Sequence, residues 1–291
     1  MTERIGRLAI IGVGLIGGSL ARALRHARKV DEIVGCGRGK ANLDEAVALG
    51  VIDRYTHDIA EAVDGADVVF LAVPLGAMRD AFEAMRDRLP TTALVTDGGS
   101  AKGSVVDDCR EVAPELLSRF IPGHPIAGTE KNGVAASFAE LYQNRRVILT
   151  PLPENMSADV ARIRQMWEAC GAEVTEMPVA HHDEVLAATS HLPHMLAFGL
   201  VDMLARMKEN DEIFRYAAGG FRDFTRIASS NPVMWRDICV ANRGALGPML
   251  SAFAAELDLL AERIHAADGD ALLEVFERAK AARDRYVDGI R

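Results

Sequence analysis

Residues 8–24, reading LAIIGVGLIGGSLARAL, constrain the fold more than any other stretch of the chain. Leu8-Ala9-Ile10-Ile11 is short enough for a strand and continuously apolar, as expected of a strand buried on both faces of a parallel sheet. Gly12, Gly14 and Gly17 follow with G-x-G-x-x-G spacing and lead into an amphipathic helical pattern that carries Leu20 and Leu24. In a dinucleotide site the first glycine permits a tight turn, the second lets the backbone approach a pyrophosphate, and the third allows close helix–strand packing. The phosphates are then expected at the helix start, around Leu15 and Ile16, where free amides and a partial charge of about half a unit favour an anion. A second strand candidate at 32–36 completes a strand–turn–helix–strand unit.

The end of that second strand bears on the cofactor. An NAD-specific site places Asp or Glu about 20 residues beyond the glycines, to bind the ribose hydroxyls. This chain has Gly37-Arg38-Gly39-Lys40 instead. Arg38 and Lys40 can pair with a 2′-phosphate that a carboxylate would repel, so NAD or NADP is expected, with NADP accepted. The competing reading is a solvated basic turn.

Strand and helix patterns alternate onward, with further strands expected at 67–74, 93–97, 120–124, 146–150 and 172–176. Such alternation implies an α/β fold with a doubly wound parallel sheet of the Rossmann type. Ligands in these sheets sit beyond the carboxyl ends of the strands, which brings Pro74, residues 97–102 and residues 124–129 to one crevice. From Pro178 strand signals give way to helical ones at 182–208, 211–218, 232–241, 247–267 and 270–286. The expected division is therefore a dinucleotide-binding domain over 1–178 and an all-α domain over 179–291.

A length of 291 residues suffices for two such domains, and a net charge of −9 argues against nucleic acid or an anionic membrane as partner. Cys36, Cys109, Cys170 and Cys239 show no metal or disulfide spacing, which fits a reducing cytoplasm. Neither a signal peptide nor an uninterrupted apolar run of about 18 residues is evident.

Four clusters carry candidate chemistry. Asp97-Gly98-Gly99-Ser100-Ala101-Lys102 reads either as a ligand loop offering a hydroxyl and a cation, or as a glycine turn with Ser100 capping the next helix. His124, held between Pro122 and Pro125 at a strand end, is placed for proton acceptance by a neutral imidazole, though a structural histidine has the same pattern. His191 and His194 share a helix face if the helix runs through Pro193, and suit substrate hydrogen bonding or core satisfaction. They have no third ligand at metal spacing, so no metal is expected. His181 and His182 read as solvated helix-start residues. Residues 219–228 carry Arg222 and Arg226 on a glycine-led aromatic turn, suited either to bidentate carboxylate binding or to a salt bridge with Asp223.

Taken together, GVGLIGGS, TDGGSAKG, HPIAGTEKNGVAASFAELYQNRRVILTP, SHLPH and FRDFTRIASSNPVMWRD resemble the prephenate/arogenate dehydrogenase family of tyrosine biosynthesis, in order over residues 8–237. The resemblance implies a Rossmann-type domain followed by a helical dimerisation domain, a homodimer, a small-molecule substrate and oxidative decarboxylation of a cyclohexadienol with hydride transfer to NAD(P). It also implies that His124 is the catalytic histidine and Ser100 the active-site serine, with His191, His194 and Arg226 on the substrate. Gly37 departs from strictly NAD-using relatives, which have Asp there. The chain's extent leads to the expectation of neither a fused chorismate mutase nor an ACT domain. One alternative is a β-hydroxyacid dehydrogenase, which would need a lysine on the interdomain helix, where Lys208 lies far along. The other is a non-catalytic NAD(P) sensor, which would need neither His124 nor Arg226.

Overall fold

The computed structural model describes residues 4–129, 131–208 and 210–288; Glu130, within the third motif, lies outside them. Six strands form one parallel sheet: β1 (Ile5–Ile11), β2 (Val30–Cys36), β3 (Arg54–Thr56), β4 (Val68–Leu71), β5 (Leu94–Asp97) and β6 (Phe120–Ile121). Their order is 3-2-1-4-5-6, so the winding reverses between β1 and β4, beside the glycine turn. Helices α1 (Leu15–His26), α2 (Lys40–Ala48), α3 (Ile59–Val63), α4 (Met78–Met85) and α5 (Gly103–Val112) make the connections. Leu8 to Ile11 and Val68 to Leu71 are at most 2% exposed, which is why both strands read as unbroken apolar runs.

The sheet is shorter than the sequence suggests, because the run at 120–124 is two strands. Pro122 has no N–H to continue a ladder, and the chain passes from β6 into β7 (Gly123–Pro125). β7 pairs antiparallel with β8 (Arg146–Leu149), and β8 pairs parallel with β9 (Glu173–Glu176), in a separate three-stranded sheet. His124 faces Ile148 across that ladder, so β8 holds its backbone from one side. The strand β3 was not expected; three residues, none of them buried, leave little periodic signal.

Helix α6 (Ser157–Ala169) packs Trp167 edge-on against Phe70 and Tyr142, and then leads to β9. After β9 only helices follow: α7 (Val179–Leu186), a π-helical turn over Ala187–His191, α8 (Leu192–Ala205), α9 (Asn210–Arg215), α10 (Gly219–Thr225), α11 (Pro232–Ala241), α12 (Arg243–His265) and α13 (Gly269–Asp288). The path continues through Pro193, as expected, by widening to a π-turn immediately before it. The chain separates into two compact units, Met1–Arg243 and Gly244–Arg291. Helices α7 to α11 therefore belong to the same compact unit as the sheets. Among the described residues one helix, Arg243–His265, is long and apolar enough to cross a membrane, and about 6% of that stretch is buried.

Candidate active site

The glycine turn is shaped as the spacing requires. Gly12 has φ +102°, and a Cβ there would come within 2.4 Å of the Ala72 carbonyl oxygen. A Cβ on Gly17 would meet the Gly12 oxygen at 2.3 Å, whereas one on Gly14 would meet nothing within 4 Å. Open space thus lies at the glycine meant to face a ligand. Helix α1 starts at Leu15 with no side-chain cap and no acid in its first turn, which leaves its N-terminal amides to an anion. A diphosphate fits this cradle, with Ile16 half-buried on the same turn and Pro74 exposed beyond β4.

The long motif after His124 holds that helix in place. Phe138 N–H donates to Ser19 Oγ (3.1 Å), Tyr142 Oη to the Ile16 carbonyl (2.7 Å) and Arg22 Nε to Ser137 Oγ (2.9 Å). Asn42 ties the turn to the same segment, donating to the Val13 carbonyl (2.7 Å) and accepting from Val134 N–H (3.0 Å).

At the basic turn the two cations differ. Lys40 pairs with Asp44 at 2.7 Å, and Tyr55 Oη donates to the same carboxylate. Arg38 is exposed and has no ion pair among the described residues. The His57 ring lies 2.7 Å from the Gly37 carbonyl.

Beyond β5 the loop 97–102 keeps the free hydroxyl of its ligand-loop reading but not the cation. Lys102 is fully buried and does not face a ligand: its Nζ donates to Asp97 and to the Gly123 carbonyl (2.7 Å). Asp97 also accepts from Gly99 N–H (2.8 Å) and Gly123 N–H (3.0 Å). Burial pushes the Lys102 ammonium down, and Asp97 pulls it back. Gly99 is required by this packing, since a Cβ would come within 2.8 Å of the Asp97 carboxylate and of Leu75. Nor does Ser100 cap α5. Asp183, from α7, accepts from Lys102 N–H and Gly103 N–H, each at 2.8 Å, and closes that helix start. Ser100 is half-buried, with its hydroxyl free of protein hydrogen bonds among the described residues.

His124 is buried, and its Nδ1 lies 2.9 Å from His182 Nε2. His182 is 0% exposed, which corrects the expectation of a solvated histidine; its Nδ1 meets Asp183 Oδ1 at 2.8 Å. Only His181 is exposed. The pattern at 181–183 hid this because α7 presents its first turn to β7 and α5, a contact without local signature. Burial, then the neighbouring His182, Lys102 and His191, hold His124 well below the usual imidazole value, so it is neutral at pH 7. Burial pushes Asp183 up, but its bonds from His182 and the two amides outweigh that and hold it below the usual carboxylate value.

His191 and His194 both pack on Trp235, the first edge-on at 6.0 Å and the second stacked at 3.7 Å. The shared face is therefore present. His191 is buried and pushed down to about 4, chiefly by burial. Asn242 bridges its Nδ1 (3.0 Å) and the Asp183 carbonyl (2.9 Å), while His191 Nε2 is buried without a partner. His194 Nδ1 donates to the Ser190 carbonyl (2.8 Å), which leaves Nε2 as an acceptor. Burial lowers His194, and among charged groups Arg226 lowers it further, so the two lie within electrostatic reach. Arg226 is exposed, and neither it nor Arg222 bridges to Asp223 among the described residues. No cluster of three His, Cys, Asp or Glu side chains suited to a metal occurs among the described residues.

A neutral imidazole, a free hydroxyl, an unpaired guanidinium and a diphosphate cradle suit hydride transfer from an anionic alcohol. Comparison with known proteins agrees. Two family models cover most of the chain: prephenate dehydrogenase, nucleotide-binding domain, over residues 20–176, and prephenate dehydrogenase, dimerization domain, over residues 178–278. The cyclohexadienyl dehydrogenase of Zymomonas mobilis is 42% identical across 95% of this chain and 94% of its own length. The crystal structure of Aquifex aeolicus prephenate dehydrogenase with hydroxyphenyl propionate and NAD+ matches with a TM-score of 0.90 at 37% identity, covering 97% of this chain and 99% of that one. Synechocystis arogenate dehydrogenase matches with a TM-score of 0.81 at 29% identity, covering 96% and 99%.

Proposed function

Because the chain belongs to the prephenate dehydrogenase family and is an NAD(P)-dependent dehydrogenase, we propose that His124 is the base of the oxidative decarboxylation this family performs, and that Arg226 holds the substrate. The reaction converts prephenate and/or arogenate to 4-hydroxyphenylpyruvate and/or tyrosine. Neither a β-hydroxyacid dehydrogenase nor a sensor is favoured, and Lys208 follows the end of α8.

The observation that carries the reading is His124 itself: a buried neutral imidazole whose Nδ1 is engaged by His182, leaving Nε2 for the substrate. His124 takes the ring hydroxyl proton at Nε2, while Ser100 bonds that hydroxyl and fixes its direction. When bound, the nicotinamide supplies the hydride acceptor. The glycine cradle of Gly12, Gly14, Leu15, Ile16 and Gly17 holds the diphosphate, with Pro74 beside it. Loss of the ring carboxylate as carbon dioxide returns its electron pair to the ring, and the gain of aromaticity makes the step irreversible.

Arg226 pairs with a substrate carboxylate, His194 Nε2 accepts beside it, and His191 offers its unpartnered Nε2–H. Arg38 reads the 2′-phosphate, so NADP is accepted alongside NAD or preferred to it. The functional division falls at residue 178, with substrate-binding and dimerising residues in 179–291, in line with the ranges of the two family models. A homodimer through the helical domain would cover apolar side chains such as Ile264, Leu273 and Phe276, each more than half exposed. The cytoplasm is the proposed location, supported by four free cysteines. The partners are then a small-molecule substrate and a second copy of the chain, with no role for nucleic acid or membrane.

Absorbance near 340 nm, followed with prephenate and arogenate against both NAD and NADP, tests the activity directly. No reduced nicotinamide from any of the four pairs overturns it.

A further inference from the structure

We propose that His182 and Asp183 form a relay that fixes the tautomer of His124, making His182 a positioning residue for the proton transfer. The inference rests on the reading of His124 as the base, and starts from the order of hydrogen bonds behind it.

Both oxygens of Asp183 face backbone N–H donors: Oδ1 takes Lys102 N–H and Oδ2 takes Gly103 N–H, each at 2.8 Å. These two bonds favour the ionised form and help hold Asp183 below the usual carboxylate value, so the group is a carboxylate that only accepts. His182 Nδ1, 2.8 Å from Oδ1, must therefore carry a hydrogen. A neutral imidazole has one N–H, so His182 Nε2 is an acceptor. The atom 2.9 Å away is His124 Nδ1, which must donate. His124 in turn has its lone pair on Nε2, the nitrogen that a base needs free. The opposite tautomer would aim two lone pairs at each other across 2.9 Å. His182, the middle link, is 0% exposed, so water does not take its place between the other two.

The same chain helps the proton arrive. Burial and the surrounding His182, Lys102 and His191 disfavour a cation on His124, which keeps the base neutral but would make it reluctant to accept. As the imidazolium forms, its Nδ1–H strengthens its bond to His182, and the Asp183 charge lies one ring further on. The groups that face the pair are Lys102 and Asp97 from the loop after β5, Asp183 from α7, and His191 from the π-turn. Lys102 is neutralised by Asp97, which leaves Asp183 as the anion available to the relay. Asn242 fixes the other side by donating to the Asp183 carbonyl and to His191 Nδ1. No feature of the segment 181–183 signals this role in sequence.

Two substitutions separate a relay from simple packing. His182→Phe keeps a ring but offers no acceptor; kcat should fall about 10- to 100-fold, with KM values within about threefold of the parent. His182→Gln places an amide oxygen near the former Nε2 and should recover most of the loss. In the parent protein, nitrogen-15 spectra of the imidazoles should show His124 with a hydrogen on Nδ1 and none on Nε2, a reading that requires no variant to fold. A folded His182→Phe enzyme with parental kcat and pH profile, a His182→Gln enzyme no better than His182→Phe, or a His124 hydrogen on Nε2 would each overturn the relay. Failure of the base reading looks different: His124→Asn would then keep near-normal turnover.

Discussion

The two ends of the site are built on opposite principles. Behind His124 a chain of buried polar side chains is matched: Lys102 with Asp97 and the Gly123 carbonyl, Asp183 with two amides, His182 with both neighbours. Around Arg226 the guanidinium is exposed and has no carboxylate partner among the described residues. The difference teaches where geometry must exist before the substrate arrives. A base needs its direction and tautomer set in advance, because reorganisation during proton transfer would add to the barrier. An anion anchor can wait in water, because the ligand brings the missing charge. The comparison makes a graded set of expectations: damage to the His124 end should appear in folding and turnover, and damage to the Arg226 end in substrate affinity.

The largest effect should come from breaking the pair beneath His124. Lys102→Met leaves Asp97 buried without its ammonium, and should destabilise the fold by about 3–5 kcal/mol, the scale for removing one partner of a buried pair. Thermal or urea unfolding measures it. A variant as stable as the parent would mean that the matched interior is not what holds this end together. The same end gives a pH dependence of stability. His124, His182, His191 and His194 are all held below the usual imidazole value of 6.5, chiefly by burial. The unfolded chain therefore binds more protons on acidification, so their contribution is fully present above pH 6.5 and is lost as pH falls through the depressed folded values. Asp183, also held low, acts in the same direction at lower pH.

Next is His124→Asn, expected to lower kcat by about 100-fold or more while cofactor affinity is unchanged. That loss equals about 2.7 kcal/mol of barrier. The kcat/KM profile should require a deprotonated group and should remain flat below pH 6.5 before it falls, since the base is neutral there. A fall centred at or above 6.5 would contradict the buried, pre-neutralised imidazole.

Arg226→Ala moves to the other end. A charge-assisted pair of the proposed kind is worth about 1.5–3 kcal/mol, so the substrate KM should rise about 10- to 100-fold with cofactor binding and melting temperature almost unchanged. Equal losses for substrate and cofactor would make it a structural arginine, and the contrast with His124 would fail.

How much of this was legible in the sequence follows the same division. The parallel sheet and glycine cradle were readable because their signals are local: an apolar run, three spaced glycines, a helix start. His124 and Arg226 stood out as candidates because prolines or glycines mark their turns and the motifs resemble a family. The relay was not, because His182 and Asp183 act through partners 58 and 80 residues away, in His124 and Gly103. The partners of Lys102 were hidden for the same reason, since a glycine-rich loop looks identical whether its lysine faces a ligand or is buried against Asp97 and the Gly123 carbonyl. The break at Pro122 was visible as a proline, yet which strand accepts the redirected chain is a property of the second sheet.

The smallest effect concerns the cofactor, and it asks whether the exposed-anchor principle holds a second time. Arg38, like Arg226, is exposed and unpaired among the described residues, whereas neighbouring Lys40 is tied to Asp44 at 2.7 Å. If a free guanidinium marks a position that waits for an anion, Arg38 and not Lys40 is the reader of a 2′-phosphate. Arg38→Ala should then raise the KM for NADP about tenfold and change that for NAD little, since only NADP has the additional phosphate. Gly37→Asp gives the reciprocal test. The nearest atoms to a Cβ there belong to Leu43, at 3.6 Å or more, so the substitution begins in ordinary contact and its carboxylate would bind the ribose hydroxyls while repelling the phosphate. Selectivity should shift toward NAD by a comparable factor. A parent that uses NAD alone, or an Arg38→Ala variant with both constants shifted equally, would limit the waiting-anchor principle to the substrate end.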